Sequence, residues 1–304
     1  MRNTETFRQY IWLVNTVLQS RRINFERIQQ LWIEDDLNGQ RPLSRTTFYR
    51  LRQAIEDMFG IIIKCDNDHN YQYYVSNPEV LKDNSTQTWM LQTLTVNNVL
   101  IDSLAIKNQL VLEKVPAGME YLSIIIKALK NKKVLRMGYK KFTDTDGYVT
   151  QIQPYCLKMF RQRWYLLGRS ERKNSKLAIY ALDRFTKLEE TDTSFETNPS
   201  FNAESYLKNF FGVFIGENEQ PTRIVLRAYG KMIPLLRTLP KHHSQKEIAT
   251  KKDYSDFEYH LVPTFDFKQE ILKEGPDLEV LEPTSLRKEI KSSLVNSLNR
   301  YQRG

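Results

Sequence analysis

The chain has 304 residues, of which 40% are hydrophobic and 27% charged, a composition typical of soluble proteins and long enough for two or three domains. No apolar segment approaches the roughly 18 residues that a membrane-spanning helix needs, and the N-terminus lacks the apolar core of a secretion signal. The two cysteines, Cys65 and Cys156, fit neither a disulfide framework nor a zinc site. These features predict a cytoplasmic protein with no membrane partner.

The net charge of +9 is distributed unevenly along the chain. Residues 130–187 hold 15 basic and 4 acidic side chains, a net charge of +11, whereas residues 1–78 hold 10 basic and 9 acidic ones. A concentrated positive field favours an anionic partner, such as a phosphate-bearing ligand or nucleic acid. The alternative is a solvated basic face that serves only solubility.

The N-terminal part has the pattern of three helices followed by a hairpin. Apolar residues recur at helical spacing in two segments over the first 35 residues, and Asn24 is a candidate N-cap of the second. Ser44 begins a third helix that ends at Gly60. Two β-rich segments around a polar turn follow, over residues 61–75. This is the order of a winged helix-turn-helix, which we predict for residues 1–78.

The third helix has a polar face that suits contact with DNA. Its apolar positions cluster on one side, so the polar residues opposite should be exposed. Arginine can read guanine, glutamine can read adenine, and threonine and tyrosine commonly contact phosphates. An ordinary surface helix of mixed polarity is the alternative. The predicted DNA-binding residues, including those at the helix edges and on the hairpin, are Arg45, Thr46, Tyr49, Arg50, Arg52, Gln53, Lys64 and His69.

The remainder of the chain predicts an α+β multi-domain protein. Residues 79–129 read as a helical connector that could form a dimer. Five short strands between Val134 and Glu189 predict a small β-barrel over residues 130–195. A helical linker at 196–218 leads to a strand–helix–strand–strand–helix–strand–helix order over 219–304, which resembles a ferredoxin-like sandwich.

Three motifs in the middle segment resemble the WYL family. Pro154, Tyr155 and Leu157 lie one strand before Arg163-Trp164-Tyr165-Leu166-Leu167-Gly168, and Ile179-Tyr180-Ala181-Leu182-Asp183-Arg184-Phe185 follows. Residues 44–75 are similar to the winged helix that precedes WYL domains in many bacterial regulators. Residues 275–290 are similar to the C-terminal extension domain of the same proteins. The resemblance therefore covers most of the chain.

This resemblance implies a transcription regulator, usually a homodimer, whose SH3- or Sm-like WYL barrel binds a regulatory ligand. For some members the ligand is nucleic acid or a nucleotide-like anion. Strand alternation groups Tyr165 with Arg169 and Tyr180 with Arg184, and arginine and tyrosine together suit a phosphate-bearing ligand. The alternative is half-buried packing with a structural Asp183–Arg184 ion pair. The predicted ligand-binding residues are Tyr165, Arg169, Tyr180, Arg184, Arg161 and Arg163.

The sequence gives little support for an enzymatic function. The four histidines (His69, His242, His243 and His260) lack metal-site spacing, and there is no glycine-rich phosphate loop or Gly-x-Ser-x-Gly elbow. We therefore predict no catalytic residues, metal or cofactor. The leading hypothesis is a transcriptional regulator, repressor or activator, that binds a double-stranded DNA operator and senses a nucleotide or single-stranded nucleic acid. The alternative is a nucleic-acid-binding accessory module that modulates another enzyme, in which the third helix is structural.

Overall fold

The computed structural model describes residues 2–68, 70–82, 87–93, 118–142, 145–174, 176–215 and 219–302. They belong to two compact units, residues 1–113 and 114–304. Much of the connector predicted over 79–129 lies outside the described residues. No helix in the described ranges is long and apolar enough to cross a bilayer.

The first unit contains three helices followed by a two-stranded antiparallel sheet, the order that the sequence predicts. Asn24 and Ser44 cap their helices by accepting hydrogen bonds from the amides three residues on, at 2.9 and 3.1 Å. Gly60 ends the third helix at φ +65°, a conformation that favours glycine. The elements are α1 (Arg2–Ser20), α2 (Phe25–Glu34), α3 (Arg45–Phe59), β1 (Ile63–Asp66) and β2 (Gln72–Val75).

The core of the first unit lies between the helices and the small sheet. Trp32, Ile55 and Phe59 are almost fully buried in it. An isolated antiparallel bridge joins Ile23, just before α2, to Tyr73 of β2. The bridge fixes the hairpin beside the helices, and the sequence pattern did not predict it.

The second unit begins with a helix packed on a five-stranded antiparallel sheet. The strands run in the order β6-β5-β4-β3-β7. Ile125 and Ala128 of the helix are fully buried against this sheet. All five predicted strands are present, and the second and fifth are longer than predicted. The elements are α4 (Leu122–Asn131), β3 (Lys133–Tyr139), β4 (Tyr148–Phe160), β5 (Arg163–Ser170), β6 (Leu177–Ala181) and β7 (Phe185–Ser194).

The C-terminal part of this unit forms a four-stranded antiparallel sheet in the order β11-β8-β10-β9. Its core includes Leu226, Phe257 and Phe267, and helices cover that face of the sheet. The observed element order is the predicted one. The elements, with a short helix before them, are α5 (Ala203–Leu207), β8 (Thr222–Tyr229), α6 (Met232–Thr238), β9 (Lys246–Thr250), β10 (Tyr254–Leu261), α7 (Phe265–Lys273), β11 (Leu278–Glu282) and α8 (Thr284–Tyr301).

Within the second unit, the β4–β5 hairpin reaches the C-terminal part. The rings of Phe160 and Phe211 meet edge to face at 5.8 Å. Arg161, in the turn, forms an ion pair with the buried Glu270 of α7. These contacts place the segment after α5 between the five-stranded sheet and α7, and the candidate site lies there.

Candidate functional site

A cavity of about 520 Å³ opens beside β5 and β6. One wall comes from these strands and from the loops that follow them. The opposite wall comes from residues 213–215 and from Asp266 of α7. The polar lining combines four cationic side chains with one carboxylate and two phenols. These residues are Tyr139, Arg163, Tyr165, Lys173, Lys176, Arg184 and Asp266.

The register between β5 and β6 decides which residues face this cavity. Tyr165 lies opposite Ala181, and Leu166 lies opposite Tyr180. Directly opposed residues of antiparallel strands share a face, so Tyr165 and Tyr180 point to opposite sides of the sheet. Tyr180 is 3% exposed and contacts the ring of Tyr139 at 5.2 Å in the core. The prediction that Tyr180 shares a ligand surface with Tyr165 is therefore wrong.

Arg163 and Arg184 line the cavity, and their surroundings hold them in place. Arg163 donates through Nη2 to Asp183 Oδ2 at 2.5 Å, and Arg184 lies 3.5 Å over the ring of Phe142. Asp183 thus pairs with Arg163, not with its neighbour Arg184. The Nε atoms of both arginines are buried and have no hydrogen-bond partner among the described residues.

The two other predicted ligand arginines lie outside the cavity lining. Arg169 is on the face of Tyr165, but further along β5, where it lies 5.3 Å over the ring of Tyr155. Arg161 is committed to its ion pair with Glu270. The prediction that Arg161 lies at the rim of the pocket is wrong, because the turn that carries it points towards α7.

Four of the polar lining residues were missed from the sequence. Lys173 and Lys176 follow β5, and the high local charge of residues 130–187 was a signal for them. Tyr139 comes from β3. Asp266 lies about a hundred residues downstream of β5, so no local pattern could associate it with this cavity.

Burial and charge set the protonation of the groups around the cavity. Burial raises the pKa of Tyr165, although the Arg163 charge lowers it in part. The phenol is therefore a neutral hydrogen-bond donor at neutral pH. Burial lowers the pKa of Lys158 on β4, while the Asp266 charge raises it in part. The positive charge of the lining comes from two arginine and two lysine side chains.

The polar face of α3 is a second candidate surface, and the structure places it as predicted. Thr46, Arg50 and Gln53 are exposed, opposite the buried Phe48, Leu51 and Ile55. The exposed residues also include Tyr49, Arg45 and, on β1, Lys64. Tyr49 is 59% exposed.

Arg52, also predicted to contact DNA, instead makes its contacts within the first unit. It is half-buried, donates through Nε to Ile63 O at 3.0 Å, and lies 5.2 Å over the ring of Tyr73. These contacts tie α3 to the small sheet. His69, the remaining predicted residue, lies outside the described residues.

Comparison with known protein families agrees with the motifs in the middle segment. Residues 120–190 match the WYL domain, and residues 220–296 match the WCX domain. The chain thus contains a WYL domain followed by a WCX domain, which confirms the predicted WYL resemblance. The cavity lies on the WYL domain, and Asp266 belongs to the WCX domain. No curated protein matches the chain.

Two solved structures are distantly similar to the chain. Proteasome accessory factor B/C (PafBC) of Arthrobacter aurescens is 19% identical with a TM-score of 0.31, and the match covers 81% of this chain and 39% of PafBC. The chain thus spans well under half of the length of PafBC. A CRISPR Cas-related protein is 14% identical with a TM-score of 0.42, and the match covers 86% of this chain and 74% of that one.

Proposed function

We propose that the protein is a nucleic-acid-binding regulator whose WYL domain senses an anionic effector. The main support for this proposal is the cavity beside β5 and β6, where four cationic side chains face one carboxylate. A nucleotide or a short single-stranded nucleic acid is the proposed effector. The α3 face is proposed to bind a double-stranded DNA operator.

The chemistry of the cavity supports a phosphate-bearing effector. Its volume of about 520 Å³ lies within the range of small-molecule sites. Arginine offers a planar pair of donors that matches phosphate oxygens, and both Arg163 and Arg184 line the cavity. The neutral phenol of Tyr165 adds a hydrogen-bond donor and an aromatic face.

The polar face of α3 supports the DNA part of the proposal. Residues 1–78 carry a net charge of only +1, so one copy has little electrostatic attraction to DNA. A homodimer that binds two half-sites would supply the missing affinity. Effector binding then regulates DNA binding only if the effector prefers one of two conformations.

A mobility-shift assay on the DNA upstream of the protein's own gene tests operator binding. Arg50→Ala removes an exposed arginine from the centre of the α3 face, and we expect it to weaken specific binding about tenfold. Arg300→Ala removes the charge of another exposed arginine, at the end of α8, and serves as the matched control. Absence of specific binding by the unmodified protein at moderate salt, or equal effects of the two substitutions, would contradict the proposal.

A second candidate function is an accessory module that binds single-stranded nucleic acid and modulates another enzyme. The observation in its favour is that the excess positive charge lies in residues 130–187, not in residues 1–78. In that case the double variant Arg163→Ala/Arg184→Ala abolishes nucleic-acid binding, and Arg50→Ala leaves it unchanged. The operator-binding proposal expects the opposite ranking on double-stranded DNA.

A further inference from the structure

Asp266 stands out as the single carboxylate among the described residues of the cavity lining. It lies in the first turn of α7, where the side chain of Thr264 caps the helix. Its Oδ2 accepts hydrogen bonds from two main-chain amides of the opposite segment, Val213 N at 2.6 Å and Phe214 N at 2.9 Å. Both of these residues also line the cavity.

The backbone at this point is shaped to receive a carboxylate. Gly212 has φ +80°, and a Cβ built on it would lie 2.1 Å from Asp266 Oδ2. A side chain is therefore excluded both by the backbone conformation and by the close approach of Asp266. On the other side, Lys158 Nζ donates to Gly212 O. The turn at 212–214 is thus held between a cation of the WYL domain and an anion of the WCX domain.

The charge of Asp266 extends into the cavity. It raises the pKa of Lys158 and contributes to the raised pKa of Tyr165, although burial is the larger influence on both groups. A phosphate in the cavity would be attracted by the four cationic side chains and repelled by this carboxylate. Two adjacent main-chain N–H groups are, in turn, donors that phosphate oxygens bind readily.

We propose that Asp266 is the resident anion of this cavity, meaning that its carboxylate holds the place of an effector phosphate. When an effector displaces Asp266, the N–H groups of Val213 and Phe214 donate their hydrogen bonds to the phosphate instead. The inference rests on the proposed function, because it requires an anionic effector. It assigns two ligand contacts to the main chain of the segment between the domains. It also gives effector binding a structural consequence, since displacement of Asp266 breaks the two hydrogen bonds that join the turn at 212–214 to this side chain of α7.

Inorganic pyrophosphate is the probe that isolates the phosphate chemistry. Calorimetric titration of the 304-residue chain measures affinity, and hydrogen–deuterium exchange follows the peptide that contains Val213 and Phe214. Asp266→Ala removes the resident anion, and Asp266→Asn removes its charge while keeping an oxygen that can accept both hydrogen bonds. Asp253→Asn, on an exposed loop of the same domain, is the matched control.

The inference expects both Asp266 variants to bind pyrophosphate about five- to tenfold more tightly than the control, because one like charge is removed. In Asp266→Ala, the amides of Val213 and Phe214 should exchange faster without pyrophosphate and regain protection with it. Asp266→Asn keeps the test valid if the alanine variant does not fold.

Two outcomes overturn the inference, and they can be told apart. If the Asp266 variants bind no more tightly than the control, or bind without restoring amide protection, the resident-anion role is wrong and the anionic site stands. If pyrophosphate binds to none of the proteins, the anion-sensing part of the proposed function fails, and the inference fails with it.

Discussion

Arg52 and Arg50 illustrate how neighbouring arginines of one helix take different tasks. Arg50 is exposed on the polar face of α3, whereas Arg52 lies at the edge, where its guanidinium meets Ile63 O and the ring of Tyr73. A helix advances by 100° per residue, so two positions turn a side chain from solvent towards the sheet. Sequence spacing placed both arginines near the polar face, but it did not reveal the acceptor on β1.

Arg52→Ala should destabilise the first unit by about 1–2 kcal/mol, because it removes a charge-assisted hydrogen bond and the packing of a long side chain. Arg50→Ala should change the free energy of unfolding by less than about 0.5 kcal/mol, as expected for an exposed residue. Urea denaturation followed by circular dichroism measures both. Equal effects would show that the contacts of Arg52 contribute nothing to stability.

At the scale of elements, the β4–β5 hairpin combines an unfavourable backbone conformation in its turn with a stabilising ion pair. Its two turn residues, Arg161 and Gln162, have φ +48° and +63°, a region that favours glycine or asparagine. Arg161 offsets that cost through its ion pair with the buried Glu270. Gln162 is exposed, and among the described residues its side chain makes no comparable stabilising contact.

Gln162→Gly should therefore stabilise the second unit by about 0.5–1 kcal/mol, since relief of the left-handed conformation exceeds the entropy cost of glycine. Arg161→Gly relieves the same backbone conformation but leaves Glu270 with one partner fewer, and we expect net destabilisation of about 1–2 kcal/mol. Thermal unfolding distinguishes the two variants. A higher melting temperature for Arg161→Gly would mean that relief of the backbone exceeds the contribution of the ion pair.

At the scale of the whole molecule, the sequence predicted the elements and their order because helical and strand periodicities are local. The WYL motifs also marked the domain that carries the cavity. What it missed depends on tertiary structure. The register of β5 and β6 places Tyr180 opposite the buried Leu166 in the core, and Asp266 reaches the cavity from another domain. Half of the cationic lining, Arg163 and Arg184, was predicted, and the carboxylate that opposes it was not.

The second unit should also lose stability in mild acid. His242 bridges distant segments, with Nε2 donating to Lys208 O at 2.9 Å and Nδ1 accepting from Ser244 Oγ at 2.7 Å. Burial lowers the pKa of His242 to about 4, from an ordinary value of 6.5. The unfolded chain then binds more protons than the folded one between these values, so stability falls as pH decreases from about 6.5 to about 4.

The expected loss over this window is about 2 kcal/mol, somewhat less than the full shift implies because the ring is partly exposed. Urea denaturation at several pH values measures it. His242→Asn should flatten the profile in this window. An unchanged profile in His242→Asn would assign the acid sensitivity to other groups.

The origin of the cavity walls has a consequence for biosynthesis. The five strands of the WYL domain are complete by Ser194, whereas Asp266 is added more than seventy residues later. Because domains generally fold in the order in which the ribosome releases them, the five-stranded sheet exists for a time with its cationic wall uncovered. A nascent chain at that stage would attract anions without discrimination, and only the finished chain carries the carboxylate against which an effector must compete.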